Sequence, residues 1–137
     1  MAYDHQKSDV LAGSNISVAT TGVKTNTPAG TFPFVVRAFA AVIRTVPTVT
    51  ATIVTGKRRP TPGSATGEVI IGTLVLPTTA ALGNLYYKTG FSTKVFAGEE
   101  FVFDVTTAST AGAADLIVQT EPNWDIPGNS PKMILSA

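Results

Sequence analysis

No cysteine occurs in the 137 residues, which excludes disulfides and thiolate metal sites and leaves stability to packing, sheet hydrogen bonds and self-association. There is one histidine, His5. It sits in a polar N-terminal stretch with no sustained period, so a Ser-His-Asp relay or a histidine metal cluster would rest on unanchored backbone. Charge is scarce as well: 14% of residues are charged, ten basic against nine acidic, for a net charge of +1. A near-neutral chain lacks the basic field that nucleic-acid phosphates demand, so no nucleic-acid partner is expected. Long apolar runs are missing. Phe34 to Ile43 is broken by Arg37 and is about half of what a bilayer-crossing helix needs, so no membrane partner is expected either. The start, Met1-Ala-Tyr-Asp-His-Gln-Lys-Ser-Asp, carries acids and no apolar core, so no signal peptide is expected and the Asn15-Ile16-Ser17 sequon is read as chance.

What is present is β-forming. A chain of this length fits one domain and folding should bury roughly two thirds of its extended surface. Hydrophobic residues reach 44%, which together with the low charge points to surface hidden in contacts with other subunits; a Thr- and Ser-solvated surface is the plainer alternative. From Val95 to Thr120 the chain reads strand, tight turn at Ala97-Gly98-Glu99, strand, small-residue loop, strand. Phe101, Phe103 and Val105 alternate with Val102 and Asp104, which predicts a half-buried antiparallel ribbon. Ile16 to Val23 predicts another strand. Phe32 to Arg44 is apolar in both registers, which favours a long strand or two joined at a bulge over a helix. Thr48 to Ile53 alternates strictly and predicts a strand; Gly56 to Gly67 predicts an exposed loop. Glu68 to Leu76 predicts a strand buried on both faces, with Gly72 a bulge or close-approach point. Thr78 to Gly83 could hold one helical turn, and Leu85 to Lys88, Ser92 to Phe96 and Lys132 to Leu135 short extended pieces. About eight strands at turn-punctuated spacing predict an all-β, antiparallel two-sheet sandwich of jelly-roll type. Residues 1–15 are expected to be an extended N-terminal arm and 16–137 the sandwich domain, ending in a proline-rich strap over 121–137.

The chemistry-bearing residues do not assemble into an active site. Neighbours on an extended chain face opposite ways, so Glu99 and Glu100 read as a solvated turn, not a glycosidase pair. Asp104, Asp115 and Glu121 could meet across strands and hold calcium, though their spacing is sparse for a hard-cation loop. Gly56-Lys57 lacks the glycine and hydroxyl of a phosphate loop. The Lys57-Arg58-Arg59 run is read as loop charge or as an ion pair to a neighbouring subunit. Trp124, Tyr86 and Tyr87 could form a sugar-stacking platform; the alternative is that Trp124 is a packing anchor, with Pro122, Ile126 and Pro127 stiffening a strap laid on a partner. No catalytic residue, metal ligand or cofactor site is expected, and the chain is expected not to be an enzyme.

The segment Lys88-Thr-Gly-Phe-Ser-Thr-Lys-Val-Phe-Ala-Gly-Glu-Glu-Phe-Val-Phe-Asp-Val-Thr-Thr-Ala-Ser-Thr-Ala-Gly-Ala-Ala114, with the Glu121-Pro-Asn-Trp-Asp-Ile-Pro-Gly-Asn129 tail, resembles the capsid decoration, or cement, proteins of tailed bacteriophages. The resemblance spans Leu82 to Ser136 and is one of texture. It implies a non-enzymatic homotrimer on the capsid surface, assembled in the host cytoplasm and bridging the major capsid protein with its terminal arms. The candidate interface is then Tyr3, Asp4, Lys57, Arg58, Arg59, Pro122, Trp124, Ile126 and Pro127. The alternative function is a carbohydrate- or receptor-binding head of a phage fibre or tail.

Overall fold

The computed structural model describes residues 7–24 and 33–122. Within them lie eight strands: β1 (Lys7–Asn15), β2 (Thr20–Lys24), β3 (Phe34–Thr45), β4 (Thr52–Arg59), β5 (Val69–Leu76), β6 (Leu85–Val95), β7 (Glu100–Thr107) and β8 (Ala113–Pro122). They form two four-stranded sheets, in the orders β1-β8-β3-β6 and β2-β7-β4-β5, with every neighbouring pair antiparallel. The all-β, two-sheet sandwich expected from the alternation is the architecture found. Its winding is regular: the first strand pairs with the last, the second with the seventh, the third with the sixth and the fourth with the fifth. The chain is one long hairpin rolled up so that successive rungs fall in alternate sheets.

That winding corrects the local reading of Val95 to Thr120. The strands and the turn are there, with Gly98 at φ +85° and the Glu99 amide donating to the Phe96 carbonyl at 3.0 Å. They form no ribbon, however, because β6 and β8 belong to one sheet and β7 to the other. β7 is moreover buried on both faces from Glu100 to Val105, since it is a central strand whose outward face is covered.

The core lies between the sheets, around Phe39. Its ring centroid is 4.6 Å from that of Phe91, 5.4 Å from that of Phe101 and 5.6 Å from that of Phe103, in tilted and edge-on contacts that aromatic quadrupoles favour. Val36, Ile43, Leu76, Val95, Ala114 and Leu116 complete it. β3 reaches this core along its whole length because its register shifts at Arg37. Phe34 and Val36 point inward before that bulge, and Phe39, Ala41 and Ile43 after it. The two apolar registers of Phe32 to Arg44 are the trace of that shift. Gly56 and Gly72 face each other across β4 and β5, and a Cβ on Gly56 would run into the Phe39 ring while one on Gly72 would stand 2.7 Å from Phe91. The close approach expected at Gly72 is therefore present.

Other expectations fail for identifiable reasons. The chain reverses between Thr48 and Thr50, with Val49 at φ +71° and 81% exposed, so the strict alternation of Thr48 to Ile53 enters a strand only at Thr52. β5 is an edge strand, and Val69, Ile70 and Val75 are exposed, so it is not buried on both faces. Residues 78–83 form two successive turns without a helix. Of the expected arm, Lys7–Asn15 is extended but belongs to the sheet, registered against β8; of the expected strap, Glu121 and Pro122 end β8, with Pro122 opposite Phe34. The Lys132 to Leu135 strand lies outside the described residues.

Candidate functional site

Alternation on β4 sends Thr55, Lys57 and Arg59 to the outside of the β2-β7-β4-β5 sheet, and alternation on β7 sends Glu100, Val102 and Asp104 to the same side. These residues register directly, with Thr55 opposite Asp104, Lys57 opposite Val102 and Arg59 opposite Glu100. Lys57 Nζ lies 2.7 Å from Asp104 Oδ2 and 2.7 Å from Glu68 Oε2. Arg59 Nε donates to Glu68 Oε1 at 3.2 Å, and its terminal nitrogens lie 3.9 Å from Glu100 and 4.0 Å from Asp104. The Gly63 amide donates to Glu100 Oε2 at 2.7 Å. Both carboxylates on β7 are 1% exposed. The connection 60–68 is thus folded back over its own sheet and fastened by Gly63 and Glu68. Hydrogen bonds from the Lys57 ammonium to Asp104 and Glu68 outweigh its desolvation and raise its pKa above the ordinary lysine value.

Each acid in the arrangement faces a cation, and these pairs hold the connection 60–68 against the sheet. The arrangement also corrects two readings. Lys57, Arg58 and Arg59 belong to β4, not to an exposed loop, and they pair within the subunit; Arg58 points to the other side, 3.6 Å from Glu99. Glu100 is buried, not part of a solvated turn, while Glu99 closes the turn through its carboxylate, which accepts from the Phe96 amide at 3.0 Å. The signal that locates the network is opposite-sign alternation at matched spacing, Lys57-x-Arg59 against Glu100-x-x-x-Asp104.

No described residue outside the other sheet is fastened over its outer face. Two rows cross it from β1 through β8 and β3 to β6: Val10, Ile117, Ala40, Tyr87, and next to them Ser8, Gln119, Ala38, Thr89. The small Ala38 and Ala40 in the middle leave a hollow of about 320 Å³, walled by Tyr87, Thr89, Ile117, Gln119 and Ser8. Tyr87 is 62% exposed. At one end Arg37 donates to Ser92 Oγ at 2.9 Å and to Glu121 Oε1 at 2.7 Å, holding a planar polar group beside the hollow. At the other, Asp115 accepts from the Gly13 amide at 2.7 Å and from Arg44 Nε at 2.7 Å, which ties the bulged part of β1 to β8. These bonds, chiefly that from Arg44, hold the Asp115 carboxyl below its ordinary pKa.

The structure keeps apart what the calcium reading needed together. Asp104 lies on one sheet, Asp115 and Glu121 on the other, each acid facing a basic side chain. Among the described residues no group of three or more His, Cys, Asp or Glu could hold a metal ion. Tyr86 packs against the core while its neighbour Tyr87 faces outward, so the two cannot share a platform. Tyr3, Asp4, Trp124, Ile126 and Pro127 lie outside the described residues, as does His5. Pro122 is half-buried at the end of β8. Residues that sequence reasoning passed over, Ala38, Ala40, Gln119 and Arg37, make the open face; small side chains aligned across neighbouring strands carry no signal until the register is known. No family model, curated protein or solved structure matches the chain.

Proposed function

We propose that the chain is a non-enzymatic virion structural protein that decorates a capsid and stabilises it by bridging capsomers, with the major capsid protein and further copies of itself as partners. It would act at the capsid surface after assembly in the host cytoplasm. The observation that carries this reading is the strand pairing of first with last, second with seventh, third with sixth and fourth with fifth. We read that order as jelly-roll winding, an eight-stranded double-sheet form that recurs in viral capsid and lectin domains. The pairing of the acids in the loop-covered network gives the reading further support, because such pairs fix the connection 60–68 against its sheet and hold a shape. The test is electron microscopy of particles purified from the source cells and labelled with an antibody against this chain. Regular label on the shell is expected; label confined to soluble fractions defeats the proposal.

One observation favours a second reading, a carbohydrate-binding head. The exposed Tyr87 ring lines the hollow with Thr89 and Gln119, and an aromatic face flanked by polar groups is how proteins hold a sugar ring. Glycan-array binding that Tyr87→Ala abolishes without loss of folding would move the assignment to this reading.

A further inference from the structure

Sheet edges expose unpaired backbone donors and acceptors, and proteins blunt them with short strands, bulges, charges or prolines. Three of the four edges here are guarded in this way. β1 has a register shift between Leu11 and Ser14, with Gly13 at φ +62°. β2 is five residues long with a register shift of its own. β6 carries the exposed Lys88 and Lys94, and Gly90 at φ +86°. β5 is the least guarded: Val-Ile-Ile-Gly-Thr-Leu-Val-Leu holds no charge and no proline. Its register against β4 shifts once, between Ile70 and Gly72, and is regular from Gly72 to Leu76; among the described residues no strand pairs with its second edge. Ile70 and Val75, 64% and 54% exposed, stand on the outer face of that sheet.

We infer that the free edge of β5 pairs antiparallel with β5 of a second copy of this chain about a twofold axis. A second copy is the fitting occupant because an uncharged strand laid against itself opposes no like charges, and because the other three sheet edges among the described residues carry charges or are short and shifted. Pairing joins two four-stranded sheets into one of eight strands across the two subunits and sets the apolar side chains of the two β5 strands beside each other. The main chain supplies the attraction; the bare apolar side chains supply the register. The inference is independent of capsid binding and replaces the homotrimer with a twofold dimer.

Light scattering on the full chain tests it. The expected mass is twice the 14.2 kDa of the chain, and Ile70→Lys with Val75→Lys should weaken association roughly a hundredfold, since like charges are then set against each other across the contact. Both positions are exposed in the subunit, so circular dichroism should be unchanged, and the melting temperatures should agree at concentrations too low for the unaltered chain to associate. Hydrogen exchange on the unaltered protein gives a second readout: amides on the outer edge of β5 should gain protection as concentration rises. A monomer at every concentration, a trimer, a dimer that survives both lysines, or exchange in β5 that ignores concentration each overturns the inference. A trimer or monomer that nonetheless labels particles would sink the β5 contact alone and leave the decoration reading standing.

Discussion

The two outer faces of the sandwich have the same strand geometry and opposite fates. On the β2-β7-β4-β5 side the outward residues include two acids and two bases, and the connection 60–68 closes over them through Gly63 and a third acid, Glu68. On the β1-β8-β3-β6 side the central outward residues are Ala38 and Ala40, no connection among the described residues is fastened across them, and a hollow remains. The comparison teaches that the closed face is set by where the β4–β5 connection folds, and that charge fastens that connection in place. Buried ion pairs are weak evidence for net stability, because desolvation offsets much of their attraction, but they are strongly directional. Here they specify which face is closed.

The largest expected effect comes from breaking the closed face. Asp104→Ala removes one of the two carboxylates that Lys57 faces at 2.7 Å and leaves Glu68 alone to compensate the half-buried ammonium, at a cost of about 3 kcal/mol in urea unfolding. Lys57→Met combined with Asp104→Leu should recover a good part of that loss, since an apolar pair of similar volume owes no desolvation. A double variant as unstable as Asp104→Ala would show that the network does more than pair charges. Next comes the floor beneath that face. Gly56→Ala forces a methyl group into the Phe39 ring and should cost about 2 kcal/mol by overpacking, whereas Gly63→Ala, open around its Cβ, should cost less and act only through its left-handed φ of +80°.

How far this contrast could be read from the chain depends on whether the information is local. Strand alternation is local, so Phe101, Phe103 and Val105 were assignable to the core and the two-sheet class followed from strand count and spacing. Partnership is not local. Nothing in Glu100-Phe-Val-Phe-Asp104 says that β7 pairs with β2 and β4 and not with its neighbours in sequence, so its burial on both faces was out of reach. Lys57-Arg58-Arg59 is deceptive for the same reason: three successive cations next to Pro60 carry the composition of a loop, and only register with β7 supplies the acids that face Lys57 and Arg59. Val49 misled in the other direction, because a β-branched residue in the left-handed region is uncommon and alternation alone cannot announce it.

The faces should also fail at opposite ends of the pH scale. The raised Lys57 pKa means that the folded state binds that proton more tightly than the unfolded chain does. Its contribution is therefore complete below the unfolded lysine value of about 10.4 and fades as pH rises through the folded value, so the melting temperature should fall in strong alkali, and less so in Lys57→Met. Asp115 works the other way. Its lowered pKa contributes above the unfolded aspartate value of about 3.9 and is lost as pH falls through the folded value, loosening the bulged part of β1 from β8. The protection of the Gly13 amide relative to its intrinsic exchange rate should fall in acid in the native chain and be low at all pH values in Asp115→Ala.

The smallest effect on stability is expected where function is most exposed. Tyr87→Ala on the open face should change unfolding free energy by within about 0.5 kcal/mol, because the ring is 62% exposed and its row neighbour Ala40 is too small to pack against it closely. Its consequence should be seen in binding: fewer copies on particles if the open face meets the shell, or lost glycan affinity if it meets sugar. A large loss of stability would mean instead that the ring is a structural lid over the hollow and that this face, like its counterpart, is closed.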